Sequence, residues 1–132
     1  MAANAYEFVG AQICIRYIDN EIGFGVFAAA DFEFGELIET CLALPFPNDA
    51  VGDDILSDHR LEWSETHDCM GTGYAMLYNH ADNPNCLMVR VPGELAGDFP
   101  PPHRPDALLV VAHRRIMRGE QLLIKYKCTP WW

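Results

Sequence analysis

Residues 78–86 read Tyr-Asn-His-Ala-Asp-Asn-Pro-Asn-Cys, and this stretch decides how the whole chain is interpreted. An apolar run, residues 75–78, leads into it, and most of the residues that follow are turn formers. The two adjacent polar side chains after the run, Asn79 and His80, need hydrogen-bond partners wherever they are buried. We therefore expect this pair to contact either a ligand or another segment of the protein.

Length and composition restrict the alternatives. The chain has 132 residues, of which 50% are hydrophobic, which is enough for one packed core and too short for two. No apolar run approaches the roughly 20 residues that cross a bilayer, and residues 1–10 lack the basic and apolar regions of a secretory signal. We expect one globular domain over residues 1–132, located inside the cell and without contact to a membrane.

The net charge points to basic partners. Nine Lys and Arg residues against 19 Asp and Glu residues give a formal charge of −10, which disfavours binding to the phosphates of a nucleic acid. The five cysteines form no C-x-x-C pair, and an odd number of scattered cysteines fits neither a disulfide framework nor a zinc site. We predict reduced thiols and no metal.

Short strands separated by turns are predicted along most of the chain, so the fold class is mostly β with little helix. Period-two alternation and short apolar runs bounded by turn residues predict the strands, at residues 12–18, 26–28, 37–44, 86–91 and 107–113. Pro45 is expected to end the third of them, because proline cannot donate a hydrogen bond to a sheet.

Three other segments interrupt or follow the strands. An acidic insertion covers about residues 48–70, and one helical turn is expected in it around Ile55. A proline-rich loop covers about residues 92–106, and we expect it to be exposed and mobile. A short aromatic tail covers residues 128–132.

A pattern of the form x-x-apolar-x-x-Gly-Glu-x-apolar occurs twice, each time between strands, at residues 30–38 and 114–122. We predict the same turn in both copies. Gly35 or Gly119 would take a left-handed conformation that reverses the chain, while Phe32 or Ile116 tucks inward as an anchor.

Four elements in a fixed order resemble the SET domain of protein-lysine methyltransferases. They are Gly23-Phe24-Gly25-Val26-Phe27-Ala28 with its Gly35-Glu36 turn, Tyr78-Asn79-His80-x-x-x-Pro84-Asn85-Cys86, Gly119-Glu120-Gln121-Leu122, and Tyr126. The resemblance covers about residues 12–127 and implies several short curled β-sheets with a knot-like crossing near the C-terminus. It is closest to short, free-standing members, because the cysteine cluster that follows the domain in many relatives is reduced here to Cys128.

The resemblance implies a site for the cofactor S-adenosylmethionine (SAM). Matched motif by motif, the residues expected to bind it are Ile22, Gly23, Phe24 and Gly25 through the main chain, Asn79 at the amino-acid end, and the backbone of His80 at the adenine. The alternatives are that Gly-Phe-Gly is only a tight hairpin turn, and that Asn79 and His80 only stitch the crossing together. Ala81 stands where the family usually has serine.

The aromatic tail has two interpretations. Trp131, with or without Trp132, could fold over the adenine or the lysine channel as a substitute lid. The alternative is a homodimer contact, because exposed tryptophans lower solubility.

The resemblance also assigns the reaction. Tyr126 matches the tyrosine expected to align the attacking lysine amine, and the lysine channel is expected to include Ile124, Leu77 and Trp63, of which Trp63 could instead belong to the core. Because an aliphatic residue cannot hold a water or an amine by hydrogen bonding, Ile124 favours products beyond monomethyl-lysine.

The function implied is therefore SAM-dependent methylation of a protein lysine without a metal. The acidic insertion suits a basic protein or peptide, such as a histone tail, by charge complementarity, although it could equally be a solvated face. The location would be nuclear for a histone substrate and cytoplasmic otherwise. The alternative is a catalytically silent SET-like module that binds a basic peptide, since Phe24, Ala81 and Lys125 depart from the family pattern.

Overall fold

A computed structural model describes residues 12–50, 60–93 and 106–126 of the chain. The strands in these ranges are β1 (Ile13–Asp19), β2 (Gly23–Ala28), β3 (Leu37–Pro47), β4 (Leu61–Glu62), β5 (His67–Gly71), β6 (Asn79–His80), β7 (Cys86–Val91), β8 (Ala107–Ala112) and β9 (Leu123–Ile124). The helical content of the described ranges is one 3₁₀ turn, Ala75–Leu77. No helix in them is long and apolar enough to span a bilayer.

The strands form three small sheets. β1 and β2 form an antiparallel hairpin, five strands form an antiparallel sheet in the order β4-β5-β3-β8-β7, and β6 pairs in parallel with β9. The prediction of a mostly β fold of several short sheets with little helix is confirmed. The parallel pair joins the Asn79-His80 motif to the segment before Tyr126.

The turn between β1 and β2 is held by Asp19. Its carboxylate accepts hydrogen bonds from the backbone N–H groups of Glu21 and Ile22 at 2.9 and 2.7 Å, and Gly23 follows with φ of +82°. β2 therefore begins at Gly23, three residues earlier than predicted, because the turn places Gly23 opposite Asp19 in the hairpin.

Pro45 does not end β3, which continues to Pro47. Backbone hydrogen bonds flank the pairing of β3 with β5 at both ends: Thr72 N–H donates to Leu42 O, and Asn48 N–H donates to Thr66 O. Because hydrogen-bonded pairs alternate along an antiparallel ladder, they fall on the even-numbered residues of β3. The nitrogen of Pro45, opposite Cys69, therefore points away from β5 and needs no partner there.

The acidic insertion contributes two strands that the sequence did not predict. β4 and β5 pair as a hairpin and extend the five-stranded sheet beyond β3. Arg60 forms an ion pair with Asp68 at 3.3 Å across this hairpin. The helical turn expected near Ile55 lies outside the described residues, as do residues 94–105 of the proline-rich loop and the tail from residue 127 onward.

The two Gly-Glu turns interlock with each other. Phe32 and Ile116 exchange both of their backbone hydrogen bonds, at 2.8 and 2.9 Å, and both side chains are fully buried. The glycines take left-handed φ angles of +82° at Gly35 and +93° at Gly119, as predicted.

The interlock has an approximate twofold symmetry. Ala28 N–H donates to Glu120 O and Gly119 N–H donates to Ala28 O, while Ala112 N–H donates to Glu36 O and Gly35 N–H donates to Ala112 O. Each bond thus has a counterpart in which the two copies of the pattern exchange roles. The repeated sequence pattern is the reason, since both copies supply the same glycine, glutamate and apolar anchor.

The core consists of two clusters. The larger one joins the interlocked anchors to β1, β2, β8 and β9, and the smaller one lies between β3, β5 and the 3₁₀ turn. Four of the five cysteines lie in the described ranges and are free, as predicted. Burial raises the pKa of the Cys69 and Cys86 thiols to about 12, so both remain protonated and act as small apolar groups.

Two phenylalanines of the first turn provide a matched test of the interlock. Phe32 is 1% exposed and Phe34 is 73% exposed. We expect Phe32→Ala to lower the free energy of unfolding by about 3–5 kcal/mol and Phe34→Ala to change it by less than about 0.5 kcal/mol, measured by chemical denaturation. Equal losses for the two variants would contradict the interlock as the anchor of the core.

Candidate active site

A pocket of about 240 Å³ lies where β2, β4, the 3₁₀ turn and Tyr126 meet. Its lining residues come from sequence segments far apart in the chain: Ile22, Phe24, Arg60, Leu61, Met76, Leu77, Tyr78, Asn79 and Tyr126. The walls are mainly apolar, and the lining residues with polar side-chain groups carry one guanidinium, one amide and two phenols. Such a composition is typical of a small-molecule site.

Asn79 connects the wall of the pocket to its neighbours. Its side-chain amide nitrogen donates to the backbone oxygen of Phe24 at 3.0 Å and to the side-chain oxygen of Gln121 at 2.9 Å. No donor from the described residues reaches its amide oxygen, which is left to accept a hydrogen bond from a ligand. The parallel pairing of Asn79 with Leu123 fixes the backbone at this point.

Gly25 is required for this arrangement. A Cβ atom at this position would lie 2.6 Å from the Gln121 side-chain oxygen and 3.0 Å from the Asn79 amide nitrogen. Gly23 differs, because a Cβ atom there would meet nothing within 4 Å, although its φ of +82° is left-handed. Gly23 therefore allows the turn and leaves the main chain accessible, and Gly25 makes room for the Asn79 side chain.

His80 fastens the segment that carries Tyr126. The backbone N–H of Tyr126 donates to His80 Nδ1 at 3.0 Å, so the proton of the neutral ring is on Nε2, which donates to Asp82 at 3.0 Å. The rings of His80 and Tyr126 are also in contact, with centroids 5.2 Å apart. The His80 side chain is thus fully engaged in holding Tyr126.

The hydroxyl of Tyr126 has a fixed direction. It donates to the backbone oxygen of Tyr78 at 2.6 Å, and burial raises the pKa of this phenol above its ordinary value. The group therefore stays protonated, its proton is held by Tyr78, and its oxygen lone pairs remain to accept a hydrogen bond. Such a group orients a bound amine and does not remove a proton from it.

Below the pocket, a carboxyl group holds Tyr78. Glu39 is 3% exposed and accepts hydrogen bonds from the Tyr78 hydroxyl at 2.7 Å and from the Tyr74 backbone N–H at 2.9 Å. Burial raises the pKa of Glu39, and hydrogen bonds from Tyr74, Tyr78 and the Cys41 thiol oppose that shift. Sequence reasoning missed this contact, although a carboxylate inside an apolar strand was a signal that a buried partner existed.

Arg60 brings a positive charge to the pocket. It stands just before β4, pairs with Asp68 at 3.3 Å and donates to the backbone oxygen of Asn48 at 3.2 Å. These contacts hold the guanidinium at the rim, where it is partly exposed.

Comparison with known proteins agrees with this geometry. The SET-domain family model matches residues 23–127, which include β2, Tyr126 and every lining residue of the pocket except Ile22. The chain belongs to the SET-domain family. Membership supports a methyltransferase activity.

A solved structure shares the SET fold. The crystal structure of a candidate histone methyltransferase from Plasmodium falciparum aligns with a TM-score of 0.70, covering 94% of this chain and 100% of that chain at 24% sequence identity. At this identity the likeness concerns the fold. No curated protein sequence gives a significant match to the chain.

The pocket described above brings together five of the residues proposed from the sequence: Ile22, Phe24, Leu77, Asn79 and Tyr126. Gly23 and Gly25 lie beside them in β2 and His80 lies behind Tyr126, all outside the lining itself. Ile124 is buried in the larger core cluster, and Trp63 packs against the smaller one. Trp131 lies outside the described residues.

Four lining residues were not proposed from the sequence: Arg60, Leu61, Met76 and Tyr78. The first two belong to the hairpin of the acidic insertion, whose pairing gave no periodic signal. The other two sit in the apolar run before Asn79, where the sequence alone does not distinguish a wall from a core. Within the described ranges, no group of three or more His, Cys, Asp or Glu side chains could hold a metal ion.

The two glycines of the motif should respond in opposite ways to substitution. At Gly23, alanine should cost about 1–2 kcal/mol because of its left-handed φ, and asparagine should cost less because it tolerates that conformation. At Gly25, alanine should cost about 1–3 kcal/mol by overlap with Asn79 and Gln121, and the larger asparagine should cost more. Denaturation midpoints of the four variants measure this reversal, and the same order at both positions would refute it.

Proposed function

We propose that this SET domain transfers methyl groups from SAM to the side-chain amine of a protein lysine. The observation that supports this most is the single pocket in which Ile22, Phe24, Asn79 and Tyr126 meet, with the Tyr126 hydroxyl fixed on the backbone oxygen of Tyr78. A group that orients an amine beside a ligand site is what methyl transfer to an amine requires.

The residues present fit SAM. The open main chain at Gly23 allows close approach of a ligand, and the aromatic face of Phe24 suits an apolar or cationic surface. The free amide oxygen of Asn79 suits an ammonium group, and the Arg60 guanidinium suits a carboxylate. The methionine part of SAM carries both of these charged groups.

The chain's own residues prepare the amine. When bound, SAM would supply a methyl group on a positively charged sulfur. An apolar channel disfavours a charged ammonium, which lowers the pKa of a lysine in it and favours the neutral amine. The Tyr126 oxygen then accepts one N–H of that amine, which turns the nitrogen lone pair toward the methyl carbon, and most of the rate should come from this alignment.

We propose a basic protein or peptide as the substrate. The net charge of −10 favours such a partner by steering. A histone tail fits this charge, as does any other basic protein. The domain would work in the nucleus in the first case and in the cytoplasm in the second.

We also propose products beyond monomethyl-lysine. Ile124, two residues before Tyr126, is buried in the larger core cluster and provides only an apolar side chain, so no hydrogen bond from this position would hold a water or fix the amine in one orientation.

Turnover with isotopically labelled SAM tests the reaction. We expect label on the lysines of basic peptides, and we expect Tyr126→Phe to reduce kcat about a hundredfold because the amine is no longer oriented. Tyr17→Phe is the control and should retain activity, because it keeps the ring that packs against Phe24 and removes only an exposed hydroxyl that donates to Asn20. Mass spectrometry of the product counts the methyl groups, and monomethyl-lysine alone at long times would reject the Ile124 proposal.

Calorimetric titration with SAM separates an enzyme from a silent binding module. We expect micromolar binding that weakens at least tenfold in Asn79→Ala, a loss of about 1.4 kcal/mol, because the amide oxygen and the Phe24 contact are both removed. Asn83→Ala, in the exposed part of the same stretch, should bind as the wild type does. Absence of binding at millimolar SAM, together with retention on a basic peptide column, would favour the silent module.

A further inference from the structure

Tyr78 is held at both ends by residues of different segments. Its side-chain hydroxyl donates to Glu39 of β3 at 2.7 Å, and its backbone oxygen accepts from the Tyr126 hydroxyl at 2.6 Å. Its ring is 1% exposed, so it cannot turn without disturbing the core. Tyr78 thus connects the Glu39 carboxyl group to the Tyr126 hydroxyl, which faces the amine.

Glu39 holds more than the Tyr78 side chain. Its second oxygen accepts from the Tyr74 backbone N–H at 2.9 Å, at the start of the 3₁₀ turn that leads to Tyr78. The fit is close, because a Cβ atom at Gly73 would lie 2.5 Å from this carboxyl oxygen. Glu39 therefore fixes both ends of the segment from Tyr74 to Tyr78.

We propose that Glu39 is a positioning residue for methyl transfer, which acts through Tyr78 on the hydroxyl of Tyr126. This inference rests on the proposed function and names how its key group is oriented. Glu39 does not touch the substrate. It places the Tyr78 backbone oxygen where that oxygen accepts the hydrogen bond from the Tyr126 hydroxyl.

The direction of the hydroxyl proton decides what Tyr126 can do. While the Tyr126 hydroxyl donates to the Tyr78 backbone oxygen, its own lone pairs face the pocket and accept an amine N–H. If Tyr78 shifts, the hydroxyl is free to rotate and donate to the amine nitrogen, which occupies the lone pair that must attack the methyl group. Loss of the Glu39 contact should therefore lower kcat and leave the binding of SAM and peptide unchanged.

Three variants test the proposal. Tyr78→Phe removes the donor and keeps the ring, and Glu39→Leu removes both acceptors. Both should lower kcat by about tenfold to a hundredfold, with KM for the peptide and the SAM dissociation constant within about twofold of wild type. Glu39→Gln should keep the wild-type activity. Its amide oxygen can accept from Tyr74 N–H, and its amide nitrogen can donate to the Tyr78 hydroxyl, which then acts as the acceptor.

The control is Ile116→Val, which removes a buried methyl group from the interlocked turns. Ile116 shares the larger core cluster with Tyr78 but does not line the pocket, so the variant's melting temperature should fall while its kcat stays at the wild-type value below that temperature. If kcat of Tyr78→Phe is also unchanged while its melting temperature falls, the Glu39 contact is structural only and the proposal is wrong.

A spectroscopic readout decides the proposal without turnover. With tyrosine labelled by ¹³C at the ring carbon that bears the hydroxyl, the Tyr126 signal is identified by its absence in Tyr126→Phe. We expect it to shift in Tyr78→Phe and Glu39→Leu and to keep its position in Glu39→Gln and Ile116→Val. An unshifted signal in Tyr78→Phe overturns the positioning role, whereas a wild-type protein that transfers no methyl group overturns only the proposed function.

Discussion

The exchange of hydrogen bonds between Phe32 and Ile116 is the constraint on which the rest of the structure depends. It joins two turns from opposite halves of the chain, and further bonds carry the contact onward, since Leu122 N–H donates to Val26 O and Phe27 pairs with Gln121. Those bonds bring the β2 motif against the segment that ends in Tyr126. The pocket therefore forms where it does because the turns interlock, and its own side chains need only complete the walls.

The parts of the fold that the sequence predicts are those that local physics determines. Strands β1, β3, β7 and β8 carry alternating or apolar patterns. Gly35 and Gly119 indicate their turns in the sequence, because only glycine takes their φ angles at no cost. Strands of two residues, such as β6 and β9, carry no such pattern. They exist because the interlock brings them side by side, and a local pattern cannot contain that information.

The same division holds for the site. Asn79 was recognisable because it is a polar residue that follows an apolar run and needs partners, and Tyr126 was recognisable only because it matches the tyrosine of the SET motif set. Arg60 was not, because the pairing of β4 with β5 that brings it to the pocket depends on residues distant in sequence. Glu39 lies between these cases: a carboxylate between apolar neighbours signals a buried partner, but only the folded chain shows that the partner is Tyr78.

The interlock also governs the order in which the protein can assemble. Phe32 can form its hydrogen bonds only after Ile116, 84 residues later in the chain, has been synthesised. In the same way, β6 can pair only after β9 has been synthesised. During synthesis, β1 to β3 leave the ribosome with their anchors exposed and their edges unpaired, and loops of this length close slowly. The N-terminal half should therefore reach its native packing only after the C-terminal half has been synthesised.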